Sequence, residues 1–186
     1  MNRVHSVGGK WLARIQAIGF SLAFALTLVA MPAMAIQDVI DALEEAGLEV
    51  SEEDRDEILE ATPETLSIVM GRVVNRAVGI NPEAAPDVAR NIANAVPEQA
   101  QTAAVAATRA APAQAVEVTT AAVESNPDRA AAIAGAVSVE VPEAAVEVAV
   151  AAATAAPERE AEVRSAVRGN APTRSQEIDA AVEEAL

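Results

Sequence analysis

The chain has 186 residues, 52% of them hydrophobic, and carries 28 acidic side chains against 13 basic ones. It has no Cys and no Tyr, and its one His is His5. Disulfides, thiolate nucleophiles and zinc sites built from Cys are therefore excluded. The formal net charge of −15 repels phosphate backbones, so no nucleic-acid partner is expected.

Arg3, Lys10 and Arg14 introduce an apolar run, Ile15 to Ala35, which closes on Ala33-Met34-Ala35 behind Pro32. A basic start, an apolar stretch and a small-x-small end have the form of a secretory signal peptide over residues 1–35. The expected destination, by the general secretory route, is the periplasm or the extracellular space. An uncleaved anchor is the competing reading, because about 20 apolar residues span a bilayer. In that case this segment is the chain's expected membrane contact. No Cys follows the run to carry a lipid, and no Arg-Arg pair marks twin-arginine export.

Trp11, Phe20, Phe24, His5 and Lys10 all fall inside that segment. Residues 36–186 thus lack every aromatic side chain, His, Lys and Cys, and set 10 Arg against all 28 acids, a net charge of −18. Ser and Thr have no His to activate them, and Cys or Lys catalysis is impossible. Carboxylate pairs of the glycosidase kind are what chemistry remains, without the aromatic rings that usually line sugar sites. The expectation is a non-enzyme with no cofactor, no metal and no small-molecule substrate.

Residues 36–81 read as an acidic N-terminal helical cap. A helix is expected near Ile36 to Ala46, with a turn at Gly47. A second follows Ser51, whose Ser-Glu-Glu-Asp resembles a capping box with Asp in place of Glu. A third opens at Pro63 and places Leu66, Val69, Val73 and Ala77 on one face. Asp38 to Glu64 holds 12 acids and one base, Arg55, but not the alternating ligands and central Gly of a calcium loop. Glu52, Asp56 and Glu60 recur every four residues, as one solvated helix face does.

From Pro82 the chain keeps a strict period. Pro82, Pro97, Pro112, Pro127, Pro142, Pro157 and Pro172 are each 15 residues apart, which makes residues 82–186 seven internal repeats. Numbering each unit from its Pro, apolar residues favour positions 4, 7, 11 and 14, the spacing of one helix face. Pro suits the first helical position, and Glu beside it complements the helix dipole. Asn81 and Asn126 are suitable N-caps, whereas Val96, Ala111, Val141, Ala156 and Ala171 are poor ones. A continuous helix kinked at every Pro would lose about 3 kcal/mol at each, and in a disordered chain Val and Ile would not fall in register.

The expected fold is an all-α solenoid of short helices with connections of about three residues and about 30 residues per helix pair. The last two units, 157–186, form a polar C-terminal cap: they hold 11 charges in 30 residues, against 9 in the 60 residues before them. Val105, Val116, Val123, Val139, Val146 and Val150 stand where other units place polar residues. If they face outward, units 97–156 expose an apolar stripe suited to a protein contact. The functional expectation is a protein-binding scaffold, with a self-assembling structural protein as the alternative.

Overall fold

The structure, a computed structural model, describes the backbone of residues 31–186 and side chains from Ile36 on. The expected signal peptide, 1–35, lies outside the described residues except for the backbone of 31–35. Residues 32–186 form one compact unit, built of helices joined by turns, without a strand among the described residues.

Three helices precede the repeats: α1 (Met31–Glu45), α2 (Glu52–Leu59) and α3 (Leu66–Ile80). α1 ends in a Schellman motif. Gly47 takes a left-handed φ of 77°, and the Gly47 and Leu48 amides donate to the Glu44 and Leu43 carbonyls at 2.9 and 3.2 Å. The capping box at α2 forms as expected: Ser51 Oγ accepts from the Asp54 amide at 3.1 Å and donates to Asp54 Oδ2 at 2.8 Å. α3 begins at Leu66, three residues later than expected, because residues 63–65 form a turn. It spans 15 residues where each repeat helix spans 11, about one turn more, matching its 19-residue distance from Pro63 to Pro82.

Each repeat is built alike. Pro and the next two residues form a 3-10 turn, and an α-helix runs from position 4 to position 14. These helices are α4 (Ala85–Ala95), α5 (Ala100–Ala110), α6 (Ala115–Ser125), α7 (Ala130–Glu140), α8 (Ala145–Ala155), α9 (Glu160–Asn170) and α10 (Ser175–Ala185). The link between units is one residue, position 15, rather than the three expected. Its backbone is extended, as at Val141 with φ −132° and ψ 73°. The Val141 amide closes α7 on the Val137 carbonyl at 3.1 Å, and its own carbonyl accepts from Ala144 at 3.0 Å to open the next turn. One residue therefore satisfies groups at two helix ends.

That geometry corrects the expected core. The interior is filled from positions 4, 7, 8, 11, 12 and 15, as at Ala130, Ile133, Ala134, Val137, Ser138 and Val141. Position 14 is half-buried or exposed in every repeat. The junction residue turns its side chain inward, so Val96, Ala111, Val141, Ala156 and Ala171 are core residues, not weak caps. Asn81 and Asn126 make no side-chain cap either. Asn126 instead donates to the Pro97 carbonyl, 29 residues back, at 3.2 Å.

That reach shows how the helices stack. Each packs most closely on the helix two units away, α4 on α6 on α8 on α10 and α3 on α5 on α7 on α9. The even and odd helices thus form two rows lying core to core, one layer being one helix from each row. Hydrogen bonds between layers span the expected interval of about 30 residues. Arg109 meets Glu140 at 2.6 Å, Asn170 donates to the Gly135 carbonyl at 2.7 Å, and Arg174 donates to the Glu143 carbonyl at 2.6 Å. The rows approach closely because the contacts are small: a Cβ on Gly135 would lie 3.3 Å from the Ala166 Cβ. α1 and α2 close the N-terminal end. Asn91 of α4 donates to the Ala42 carbonyl in α1 at 3.2 Å, while Arg72 and Arg76 of α3 pair with Glu57 and Asp54 of α2.

Candidate functional site

With the core facing inward, positions 2, 6 and 13 of each unit point outward, and the two rows present different chemistry there. At position 6 the even row carries Asp87, Glu117, Glu147 and Glu177, one carboxylate per helix and all exposed. The odd row has Thr102, Ala132 and Glu162 at the same place. Over whole units the even row sets ten carboxylates against Arg90 and Arg174 alone. The odd row sets six against five arginines and is nearly neutral. The molecule therefore has one strongly anionic broad face and one balanced face. A single helical wheel hides this; reading the units in alternation reveals it.

Guanidiniums neutralise the ends of the acidic row. Arg90 pairs with Asp87, and Arg174 holds Glu177 through Nε at 2.9 Å and Nη2 at 3.0 Å. The bonds from Arg174 keep the Glu177 carboxyl below its usual range and push the guanidinium above its own. Glu117 and Glu147, in the middle, make no ion pair among the described residues. In the odd row, hydrogen bonds from Arg109 to Glu140 and from Arg159 to Asp128 likewise raise both guanidiniums. Among the described residues no three carboxylates converge as a metal site requires.

The six valines expected to form one outward stripe do not form one. Val123 is fully buried and Val146 is 8% exposed, because positions 12 and 5 there are covered by the next helix of the row. Val105, Val116 and Val150 are half-buried, and Val139, at position 13, is open at 58% exposure. The set is also divided. Val105 and Val139 lie in the odd row, and Val116, Val123, Val146 and Val150 in the even row, on the opposite side of the molecule. Residues 97–156 thus lack the continuous apolar patch expected of them.

At the N-terminal cap an open cleft of about 930 Å³ lies between the α1–α2 connection and the end of α3. Glu44, Leu48, Glu49, Val50, Ala77 and Ile80 line it, and Ile80 is 83% exposed. Glu44 is engaged by Arg55, and the remaining wall is apolar apart from Glu49, Ser51 and Asn81. No helix among the described residues is long and apolar enough to cross a membrane. Comparison with known protein families, with curated proteins and with solved structures finds no match.

Proposed function

We propose that this protein is an exported, non-catalytic scaffold, acting in the periplasm or the extracellular space, whose even row engages a protein partner with a cationic surface. The observation that carries this reading is the segregation of charge between the two rows. An acidic chain that needed carboxylates only for solubility gains nothing by withholding them from one face. Rows of like charge on a rigid support raise the local field and speed encounter with an oppositely charged partner. The alternation of units supplies that support: a carboxylate at position 6 of every second unit falls on every helix of one row. Self-assembly as a structural protein is the alternative, and the balanced odd row is the face it would use.

A cationic probe and two variants of equal net charge test the reading. Glu117→Gln with Glu147→Gln neutralises the middle of the acidic row, and Glu98→Gln with Glu158→Gln removes two charges from the odd row. Titration with an oligo-arginine peptide at low salt should weaken about 2- to 30-fold for the first pair, the range expected for two exposed ion pairs. The second pair should bind as the parent does. Equal weakening by both would mean that net charge alone matters, and the assignment to a face would fail.

A further inference from the structure

Inside the array, each helix offers one flank, positions 5, 9 and 12, to the helix two units on, which meets it with positions 3, 10 and 14. Gly135 at position 9 touches Ala166 at position 10 and Asn170 at position 14 in this way. At the N-terminal end the receiving flank is already filled: Asn91, Arg72 and Arg76, at positions 10 and 14 or their equivalents in α3, are engaged by α1 and α2. At α9 and α10 the offering flank lies open, with Ala161, Ser165 and Ala180 exposed.

Position 12 distinguishes these two helices from all the others. Ala93, Thr108, Val123, Ser138 and Ala153 hold it in the five preceding units, each at most 1% exposed. In α9 and α10 it is Arg168 and Glu183, both exposed. Helices that approach until one added Cβ would come to 3.3 Å of a neighbour leave no room for either side chain. Nor does a guanidinium or a carboxylate enter such a seam without a paired partner, because burying an uncompensated charge is costly. Arg168 instead leans across the open face toward Asp179 of α10, at 3.4 Å.

We infer that the open flank of α9 and α10 is a latent interface for a second copy of this chain, held closed by Arg168 and Glu183. It continues the row-to-row seam used throughout the array, and its remaining residues are as small as those inside. Since the complementary flank is covered by α1 and α2, only like flank can meet like flank. Such an isologous contact closes on itself as a pair and cannot extend into a filament. The inference concerns how the stack is ended and is independent of what the acidic row binds.

Light-scattering mass from micromolar to millimolar protein tests it on three chains: the parent, Arg168→Ala with Glu183→Ala, and a control, Arg129→Ala with Glu98→Ala. Both double variants remove one charge of each sign, so net charge is unchanged. The parent and the control should hold the monomer mass throughout, and the position-12 variant should rise toward twice that mass with unchanged circular dichroism. The inference is overturned if that variant stays monomeric while fully helical, if the parent already pairs, or if the control pairs equally. Growth beyond twofold would overturn the closed N-terminal flank.

Discussion

At the scale of the residue, this core works with almost no large side chains, so each polar atom inside it counts. Thr119 and Ser138 are buried at positions 8 and 12 and return their hydroxyls to backbone carbonyls, at 2.7 Å from Ala115 and 2.8 Å from Gly135. Thr108 is equally buried at position 12, but its Oγ1 has no partner. An unsatisfied buried hydroxyl costs about 1–3 kcal/mol, and Val has nearly the same shape. Thr108→Val should therefore stabilise the fold by about that amount, read as a higher midpoint in thermal or urea unfolding. Thr119→Val removes a bond that is made and should not stabilise. A lower midpoint for Thr108→Val would show that the hydroxyl is satisfied after all.

At the scale of the element, the unit boundaries were legible in the sequence, because Pro can sit only where a helix may begin. The role of the residue before it was not. Position 15 looks like a failed N-cap when read along the chain, since Val and Ala accept no hydrogen bond. The structure makes it the hinge between two helices and turns its side chain into the core, a direction that depends on tertiary packing and leaves no local signal. The two accounts give opposite predictions for Val141→Asn. As an N-cap, Asn should stabilise by about 0.5–2 kcal/mol. As a buried junction residue, Val141 contributes about 1.5–3 kcal/mol of burial that Asn would forfeit, so the variant should melt earlier. A later melt would restore the capping account. The same limit explains the valines. A wheel drawn for one unit places Val123 and Val146 outside, and only the helix two units on covers them.

At the scale of the whole molecule, stability is shared along a stack in which each layer supports the next and no single unit could fold alone. The 15-residue period predicted the helices, and pairing them predicted the 30-residue layer. Which face a unit presents depends on whether its place in the series is odd or even, and the charge follows that parity. The proposed function rests on this point, because a carboxylate row exists only if Asp87, Glu117, Glu147 and Glu177 are neighbours in space.

The most direct measurement uses the absence of Cys. Pyrene attached to Glu117→Cys and Glu147→Cys reports by excimer emission whether those positions are close. Helices packed as neighbours in a row lie about 8–10 Å apart, so this pair should give strong excimer emission. Thr102→Cys with Glu117→Cys, nearer in sequence but in opposite rows, should give none. In a continuous helix, 30 residues span about 45 Å, and neither pair would emit. Emission from the second pair and not the first, or from neither, would contradict the two-row array and the acidic face with it.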